Sequence, residues 1–457
     1  MVKKTLKKLD KSLILIMKLV LYLILMALFF GIMSYRNKPL LILSRTMGST
    51  ILTFVIVGAL FLRIYGTYDI GRKKSKPIIY SVILATMFTD LVTYLELMIM
   101  NTITPNINAF RLTSIEWLLL TMIVQIVVII LYTYAGNALY FYTHEPETCC
   151  IIASTKDGVR RVMRGIDKYK KQYKVEHIVN YKKKSIYHMI DEVHAVFLCE
   201  IPATERENII NYCYENRKNI YYTPEIADVV ESNAENYLLD DISVFNYNVK
   251  SLSLEQQFLK RLLDLVLVIC MGIVSSPIWI ISALAIKCYD HGPILFKQKR
   301  ATLNGRVFEV YKFRTMKENV ENRSVTKDDD RITPPGRILR KIRMDELPQL
   351  LNILKGDMSF VGPRPEMMEN VTAYTEELPE FKYRLRVKAG LTGYAQIAGK
   401  YNTTPKDKLM MDLLYIEKYS IWKDIQLLFQ TAIVFLKADS TEGFDTNNKI
   451  ELDEFEE

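Results

Sequence analysis

Residues 262–286 read LLDLVLVICMGIVSSPIWIISALAI, an apolar stretch with Ser275, Ser276 and Pro277 near its middle. A helix that crosses a membrane needs about 20 mostly apolar residues, so this stretch is long enough. Proline removes a backbone donor and clashes with the preceding turn, which predicts a bend or break at Ser276-Pro277. The two serine hydroxyls are suited to bind the backbone groups that a break would free.

Basic residues flank this stretch on both sides. They are Lys250, Lys260 and Arg261 before it and Lys287, Lys297, Lys299 and Arg300 after it. Because positive residues mark the cytoplasmic side of a membrane, this symmetry predicts that both flanks lie in the cytoplasm. We therefore expect a re-entrant helix over residues 260–287, which enters the cytoplasmic leaflet, turns and returns. The alternative is an ordinary kinked spanning helix, which would place the C-terminal third of the chain outside the cell.

The N-terminal third contains four further apolar stretches. They cover residues 13–33, 50–62, 81–100 and 117–132. With their flanks they approach the length of a membrane span, which predicts a four-helix transmembrane bundle in residues 1–145. Basic residues cluster before the first stretch and after the second, so both ends of the bundle are expected in the cytoplasm. Asp90 and Glu96 in the third stretch could mark a transport path, but pairing within the bundle is the preferred interpretation.

Charge and cysteine content narrow the function classes. Half of the residues are hydrophobic and the formal net charge is +9. Spread over many lysine and arginine clusters, this charge fits contact with anionic lipid headgroups. No module that fits a nucleic-acid groove accompanies it, so no nucleic-acid partner is expected. The six cysteines include adjacent Cys149 and Cys150 but no C-x-x-C pair, and we interpret them as reduced, partly buried thiols.

Residues 146–245 alternate short apolar runs with charged stretches of helical period. This alternation predicts a small parallel α/β domain. A dinucleotide site would need a glycine-rich turn after the first strand, whereas the turn here, residues 154–158, contains one glycine. We therefore expect a degenerate nucleotide-binding fold with a regulatory, dimerising or vestigial role, which makes a homodimer a candidate assembly.

Two strand-like runs joined by Asn304-Gly305 follow the membrane stretch and predict a β-hairpin. The hairpin ends in Lys312-Phe313-Arg314, where strand alternation places the two cations on one face. Two cations on one face suit a phosphate-rich ligand, although a lone K-x-R pair is more often a solvated strand face.

Asp345 and Glu346 form the acid pair on which the chemistry is expected to depend. Apolar residues recur at helical spacing after them and Pro348 is tolerated in a first turn, so a helix is predicted from about Leu347. Two acids at the positive end of a helix keep low pKa values and can hold a cation. Arg340, just upstream, adds a guanidinium group that matches phosphate geometry.

A stiff loop, Gly362-Pro363-Arg364-Pro365, fixes the direction of its arginine with two prolines. A second tight run, residues 384–396, combines cations with glycines whose backbone can be approached closely. One such piece alone would be a charged turn. Together with the acid pair and a membrane segment, these pieces describe a diphosphate-binding active site in an α+β domain.

Several motifs of the last third resemble, in order, those of the bacterial sugar transferase family. They are Lys312-Phe-Arg-Thr-Met316, Met344-Asp-Glu-Leu-Pro-Gln-Leu-Leu-Asn352, Lys355-Gly-Asp-Met-Ser359, Gly362-Pro-Arg-Pro365 and Gly390-Leu-Thr-Gly393. These proteins are polyprenyl-phosphate hexose-1-phosphate transferases, also called monotopic phosphoglycosyl transferases. The resemblance implies a catalytic domain over residues 255–437, and the four spans and the α/β domain resemble the long members of the family.

The resemblance also implies a ping-pong reaction. Asp345 matches the family's nucleophile and Glu346 its acidic partner, and together they would hold Mg²⁺. Asp345 would attack the phosphate next to the sugar of a UDP-sugar and release UMP. Undecaprenyl phosphate would then take the hexose 1-phosphate from the aspartate.

Further positions carry over residue by residue. Arg340 and Arg364 match phosphate-binding positions, and Lys312 and Arg314 fall in another functional motif, while Ser276-Pro277 matches the re-entrant break. Lys388-Ala-Gly390 stands where the family has Lys-Pro-Gly, which loosens that turn slightly. The implied role is the first step of capsule, exopolysaccharide or O-antigen repeat-unit synthesis, in a bacterial inner membrane with the catalytic domain in the cytoplasm. Which hexose is transferred stays open, because the matching residues handle phosphate.

Two other function classes stay open from the sequence. A glycosyltransferase that passes only the sugar to lipid would release UDP and would commonly use an Asp-x-Asp metal motif, for which residues 328–330 are the nearest candidate. A non-catalytic scaffold of polysaccharide assembly would keep its function after Asp345→Ala. At the C-terminus, residues 413–437 predict an interfacial amphipathic helix or a final packing helix, and residues 438–457 an acidic, disordered tail.

Overall fold

The computed structural model describes residues 10–66, 68–71, 73–101, 112–247, 252–317, 329–399 and 403–436. Within these ranges the chain forms two compact units, residues 10–223 and residues 224–436. The predicted acidic tail, Asp328 of the predicted acidic loop and the lysines before residue 10 lie outside the described residues.

Four long apolar helices occupy the positions of the four predicted spans. They are α1 (Asp10–Met33), α2 (Arg45–Tyr65), α3 (Ser75–Asn101) and α4 (Ile115–Thr143). Each is long and apolar enough to cross a membrane. Helix α3 packs against α2 and α4, and α1 packs against α4.

Asp90 and Glu96 both find partners among these helices, which confirms the preferred interpretation. Gln125 Nε2 donates a hydrogen bond to Asp90 Oδ1 at 3.4 Å. Ser49 and Thr50 donate to the Glu96 carboxylate at 2.5 Å and 3.1 Å. Polar groups inside an apolar bundle must be hydrogen-bonded, so these contacts join α3 to its neighbours.

A four-stranded, fully parallel sheet confirms the predicted α/β domain. Its elements are β1 (Glu147–Ala153), α5 (Lys156–Ile166), β2 (Tyr173–Asn180), α6 (Ile186–Glu192), β3 (Ala195–Cys199), α7 (Ala203–Glu215) and β4 (Asn219–Tyr222). The strand order is β2-β1-β3-β4. Cys149 and Cys150 lie on opposite faces of central β1, and both are buried. Burial raises the pKa of Cys149 to about 11 and that of Cys150 to about 12, so both thiols stay protonated.

The turn after β1 holds a carboxylate where a nucleotide-binding domain would hold phosphate. Thr155 caps α5 by accepting a hydrogen bond from Gly158 N at 3.0 Å. Glu200 follows β3 with a left-handed φ of 55°. Its carboxylate accepts hydrogen bonds from Thr155 Oγ1 at 3.1 Å and from Arg161 at 3.2 Å. An internal anion therefore occupies this helix end, which supports the expectation that the domain binds no dinucleotide.

The second unit is an α+β domain with one very long helix. Its elements are α8 (Ile226–Glu231), β5 (Glu235–Leu239), β6 (Ile242–Asn246), α9 (Leu254–Asp290), β7 (Leu295–Ala301), β8 (Val307–Phe313), α10 (Pro334–Lys341), α11 (Gln349–Lys355), β9 (Ser359–Val361), α12 (Met368–Glu377), β10 (Gly390–Thr392), α13 (Tyr394–Ala398), α14 (Pro405–Glu417) and α15 (Ile421–Leu436). Strands β5–β6 and β7–β8 form antiparallel hairpins, and β9 and β10 pair in parallel. The predicted Asn304-Gly305 turn of the second hairpin is confirmed, with both residues at positive φ.

This unit begins earlier in the chain than the predicted catalytic domain. Helix α8 and the β5–β6 hairpin, which the sequence analysis placed in the middle domain, belong to it. The reason is packing, because Val229 is buried in the core of the second unit and Ile226 contacts that core. An ion pair of 2.8 Å between Glu225 and Lys406 adds to this attachment.

A bend or a break was predicted at Ser276-Pro277. Helix α9 is not broken there but continues through Pro277, and the bend stays a prediction. Proline cannot donate to the carbonyl four residues earlier, which here is that of Ile273. Ser276 Oγ donates to this carbonyl at 2.8 Å, as the sequence analysis expected of a serine at this position. The Ser276 hydroxyl thus replaces the backbone hydrogen bond that is lost at Pro277, and the helix continues.

Both ends of α9 are bound to the rest of the second unit. Near the start, Lys260 Nζ donates to Val361 O at 2.9 Å and pairs with Asp424 at 2.6 Å. At the other end, Asp290 pairs with Arg314, and Ile286 packs in one apolar cluster with Phe313 and Leu339. The middle of the helix exposes large apolar side chains; among them are Ile269, Ile273, Val274, Ile280 and Ile281.

The predicted helix over residues 413–437 is wrong as a single element. Two helices, α14 and α15, cover this region and separate between Glu417 and Ile421. Ser420 explains the second start, because its hydroxyl accepts a hydrogen bond from Lys423 N at 3.1 Å. Asp424 and Leu427 of α15 are buried in the unit, which favours the packing interpretation over the interfacial one.

Candidate active site

The acid pair lies in a short 3₁₀ turn, Met344–Glu346, between α10 and α11. Arg343 precedes it with a left-handed φ of 55°. Helix α11 begins at Gln349, two residues later than predicted. The acids therefore stand on their own turn before the helix.

Glu346 is held by two predicted phosphate-binding cations. Its Oε1 atom accepts a hydrogen bond from Lys312 Nζ at 2.9 Å and another from Arg364 Nη2 at 3.0 Å. Burial alone would raise the pKa of Glu346, but these two cations outweigh it and hold the pKa well below its ordinary range. The predicted low pKa is confirmed for this residue.

Asp345 has a different setting. Within the described ranges, no other side chain donates a hydrogen bond to its carboxylate. Burial raises its pKa, Lys312 opposes this, and the negative charge of Glu346 adds to it. The prediction that both acids keep low pKa values is therefore wrong for Asp345, because burial outweighs the nearby cations. Neighbouring acids with pKa values driven apart are typical of catalytic sites.

Arg340 reaches the same site from the last turn of α10. Its Nε atom donates to Thr315 Oγ1 at 2.8 Å, which orients the guanidinium group. The group lies close enough for its charge to act on the pKa of Asp345. Arg340, Lys312 and Arg364 thus surround the acid pair with positive charge, as a diphosphate ligand requires.

Arg314 does not join this group. It is buried with 7% of its surface exposed and pairs with Asp290 at the end of α9. Gly292 makes room for it, because a Cβ atom at this glycine would lie 2.3 Å from Arg314 Nη1. Lys312 and Arg314 were predicted on one strand face, yet Lys312 reaches the acid pair and Arg314 reaches the end of α9. The predicted contact of Arg314 with substrate phosphate stays a prediction.

A buried ion pair supports the loop that carries Arg364. Arg384 Nη2 donates to the backbone oxygen of Arg364 at 2.9 Å. Arg384 is 3% exposed and binds the carboxylate of Asp412 at 2.8 Å. Arg300 donates to Pro365 O at 3.1 Å from the other side. Sequence reasoning missed these supports, because nothing in the local pattern links residues so far apart.

Glycines allow the same loop to approach its neighbour. A Cβ atom on Gly390 would lie 2.0 Å from Gly362 N, so the β9–β10 pairing needs glycine there. Ala389 stands where the resemblance predicts a proline, and its N–H donates to Thr302 Oγ1 at 3.1 Å. A proline could not make this bond, so the expected loosening is offset by a hydrogen bond.

The other predicted acidic motif is engaged elsewhere. Asp329 accepts hydrogen bonds from Arg331 N at 3.1 Å and Arg331 Nε at 2.7 Å, and both residues are buried. Asp345 and Glu346 are better suited to a cation. In the described parts of the chain, no group of three or more acidic, histidine or cysteine side chains is arranged so that it could hold a metal ion. Mg²⁺ nevertheless fits two carboxylates, because it usually takes its remaining ligands from water and substrate phosphate.

Comparison with known proteins assigns the domain that holds this site. A family model for bacterial sugar transferases matches residues 255–438. The UDP-glucose:undecaprenyl-phosphate glucose-1-phosphate transferase of Caulobacter vibrioides is 39% identical over 189 residues, which cover 40% of this chain and 71% of that protein. The uncharacterized sugar transferase EpsL of Bacillus subtilis is 37% identical over 198 residues, 43% of this chain and 95% of that protein.

The chain belongs to the bacterial sugar transferase family. The UDP-glucose:undecaprenyl-phosphate glucose-1-phosphate transferase of Escherichia coli is 38% identical over 183 residues, and the alignment spans 39% of its length. Similarity to such longer relatives therefore covers less than half of them. The matched segment of this chain contains the acid pair and all four predicted cations.

Proposed function

We propose that this protein transfers a hexose 1-phosphate from a UDP-sugar to undecaprenyl phosphate and releases UMP. The observation that carries the proposal is the divided acid pair: Glu346 accepts hydrogen bonds from Lys312 and Arg364, whereas no described side chain donates one to the Asp345 carboxylate. The names of the relatives from Caulobacter and Escherichia coli describe this type of reaction for glucose. The donor hexose of this chain is left open.

In the first step an oxygen of Asp345 forms a bond to the phosphorus next to the sugar. The bond from this phosphorus to the bridging oxygen breaks, and UMP leaves with that oxygen and its electron pair. In the second step a phosphate oxygen of the lipid attacks the same phosphorus. The aspartyl bond breaks, the carboxylate returns, and a lipid-linked diphosphate sugar is the product.

The cations prepare the site for this charge. Lys312 and Arg364 bind Glu346 before substrate arrives, which holds both donors in place for the diphosphate oxygens. Arg340, oriented by Thr315, supplies a further guanidinium group. Mg²⁺, held by Asp345 and Glu346 with substrate phosphate, would supply additional positive charge.

We also propose that α9 is re-entrant and that the catalytic domain lies in the cytoplasm. A straight helix from Lys260 to Ile286 would be about 39 Å long, at ~1.5 Å per residue, and would place its two ends on opposite sides of a hydrocarbon core of roughly 30 Å. Contacts of Lys260 and of Asp290 with the same compact domain support an arrangement in which both ends stay on one side. Basic flanks on both sides support the cytoplasmic side.

The wider role proposed is the first step of capsule, exopolysaccharide or O-antigen repeat-unit synthesis in a bacterial inner membrane. Helices α1–α4 would cross the membrane, and the parallel α/β domain would serve regulation or homodimer formation. The internal contact of Glu200 supports a role other than dinucleotide binding.

The test is nucleotide release from a panel of UDP-sugars with undecaprenyl phosphate and Mg²⁺. We expect UMP from one donor and a fall of at least about 10³-fold in Asp345→Ala. Glu377→Ala is the matched control, because this exposed acid lies at the end of α12. Release of UDP would instead support a glycosyltransferase, and no nucleotide with any donor would support a scaffold.

A further inference from the structure

Arg300 on β7 is a partly buried cation without an acidic partner. Its Nη1 atom donates to Pro365 O at 3.1 Å and its Nη2 atom donates to Gln298 Oε1 at 2.6 Å. Both acceptors are neutral, and in the described part of the chain its buried Nε atom has no hydrogen-bond partner. No described carboxylate pairs with this guanidinium group, whereas Arg364 and Arg384 each bind one. The charge of Arg300 is therefore not compensated by a contact of its own.

Burial makes such a charge unfavourable, which is why buried charges are usually paired. Burial, together with the positive charge of Arg364, lowers the pKa of Arg300 to about 10, although three acids oppose this shift. Of these acids, Glu346 and Glu366 bind other cations, and Glu369 is exposed. Arg300 is still protonated at neutral pH, so an anionic ligand would supply the counter-ion that the folded chain does not.

The β7–β8 hairpin directs Arg300 toward the same site as Lys312. Arg300 lies opposite Phe308 in the antiparallel ladder, and Phe308 is four residues before Lys312 on β8. Residues an even number apart on a strand point to one face, and residues opposite each other share a face. From this shared face Lys312 reaches Glu346, and Arg300 reaches the loop that carries Arg364.

The loop of Arg364 connects Arg300 with the acid pair. Its guanidinium group binds Glu346 at 3.0 Å, and the carbonyl of the next residue, Pro365, accepts the hydrogen bond from Arg300. The side chain of Arg364 is 46% exposed, so this part of the site is open to a ligand from solvent. A diphosphate with one phosphorus atom at Asp345 can therefore place its second phosphate beside Arg364 and Arg300.

We propose that Arg300 binds the phosphate that joins uridine to the rest of the UDP-sugar and that leaves as UMP. When the bond between the sugar-side phosphorus and the bridging oxygen breaks, negative charge develops on this phosphate, and Arg300 stabilises it. Each terminal nitrogen of the guanidinium group has two N–H donors and uses one of them in the contacts above, so each has a second one for a phosphate oxygen. The proposal rests on the proposed function, because it assigns a residue to one half of the same donor.

The same position then serves the lipid. In phosphoryl transfer the attacking and leaving oxygens lie roughly in line, on opposite sides of the phosphorus atom. UMP leaves from the side opposite Asp345 in the first step, and the lipid phosphate attacks from that side in the second. Arg300 thus binds the phosphate of UMP and then that of undecaprenyl phosphate, which makes the two ligands mutually exclusive.

Equilibrium binding of UMP to the full-length protein in nanodiscs with Mg²⁺ tests this contact, with uridine as the ligand that lacks the phosphate. We expect Arg300→Gln to weaken UMP binding about tenfold, the effect of one charge-assisted hydrogen bond, and to leave uridine binding unchanged. Arg300→Lys keeps the charge and should restore part of the affinity. Lys299→Gln is the matched control, because exposed Lys299 lies on the opposite face of β7. Undecaprenyl phosphate should displace UMP.

A merely structural role, in which Arg300 only positions the loop of Arg364, is separated by repeating the comparison in an Arg364→Gln background. Direct contact predicts a further loss of about tenfold there. Positioning alone predicts no further loss, which would overturn the proposal. So would an equal loss for UMP and uridine, equal UMP binding in Arg300→Gln and Lys299→Gln, or no displacement by undecaprenyl phosphate. Failure of the proposed function is read separately, as absence of UMP release by the wild-type protein, which leaves the binding comparison intact.

Discussion

Asp345 and Glu346 are neighbours in the chain, yet their carboxylates have opposite electrostatic settings. Lys312 and Arg364 bind Glu346 and lower its pKa. Burial and the charge of Glu346 raise the pKa of Asp345. A nucleophile that is not hydrogen-bonded to a cation keeps its lone pairs for the phosphorus atom. Glu346 meanwhile holds the cations where the diphosphate will need them.

This division predicts the acid limb of the pH profile. Asp345 must be ionised to attack, so activity should rise with pH through its raised pKa, above the ordinary value of about 3.9. Lys312→Met removes a charge that lowers this pKa, so the limb should move to higher pH. Glu346→Gln removes a charge that raises it, so the limb should move to lower pH. The measurement is kcat/KM for UMP release against pH.

If the acid limb moved in the same direction in Lys312→Met and in Glu346→Gln, this assignment would be contradicted. Glu309→Gln is the control, because Glu309 is exposed and its ion-pair partner among the described residues is Lys297 on the surface of β7–β8, at 3.5 Å. Its profile should match that of the wild-type protein, since exposed ion pairs contribute little.

The sequence predicts which residues belong to the site better than it predicts the side chains that each of them contacts. The motifs around Asp345 and Arg364 point to phosphate chemistry, and the structure brings Lys312, Glu346 and Arg364 together. Arg314 shows the limit. Two residues away from Lys312, it pairs with Asp290, because the strand ends at Phe313 and the following residue meets the end of α9.

The loop of Arg364 depends on elements that lie beneath it. Arg384, in a 3₁₀ segment, binds the backbone of this loop and is itself bound by Asp412 of α14. Both charges are almost fully buried. Removing one partner of a buried pair leaves the other uncompensated, which costs far more than the pair contributes.

Asp412→Asn should therefore destabilise the domain by about 3–5 kcal/mol. Thermal unfolding of the purified protein, with lipid or detergent held constant, measures this change. Surviving enzyme should also show a higher KM for the UDP-sugar, because Arg364 loses its support. Glu376→Gln, an exposed change on α12, should leave both quantities unaltered. An unfolding temperature equal in the two variants would contradict the role of the buried pair.

Element boundaries were the least predictable feature. Proline predicts a bend or a break in α9, but Ser276 binds the carbonyl that Pro277 leaves free and the helix is not broken. The helical spacing of apolar residues predicts one helix over residues 413–437, but the Ser420 side chain caps a second helix, α15, that begins there. In both places a single side-chain hydrogen bond decides whether the helix continues or ends, and the spacing of apolar residues does not reveal that bond.

The chain as a whole combines four apolar helices and a parallel α/β domain with an α+β domain built on a fifth apolar helix. Alternating apolar runs were enough to predict the parallel sheet, because each crossover needs a helix. The attachment of α8 to the second unit was not predictable, since it depends on contacts with α14, almost two hundred residues later.

Thiol labelling tests the proposed topology of the whole molecule. Cys288 is exposed near the end of α9, and Leu254→Cys would place a thiol at its start. In a Cys270→Ser background, a membrane-impermeant reagent should label both positions in inside-out vesicles and neither in right-side-out vesicles. The other four cysteines are buried and serve as an internal control. Labelling of the two ends from opposite sides would establish a spanning helix.

The anchoring of α9 limits how this enzyme can be produced. Val268 belongs to the core of the second unit, and Asp264 accepts hydrogen bonds from Ser359 Oγ and Phe360 N at 2.9 Å. A water-soluble version made by deleting the apolar helix would lose these groups together with Lys260. Solubilisation therefore has to keep the helix and replace its lipid, by detergent, by nanodisc or by polar substitutions confined to its exposed middle.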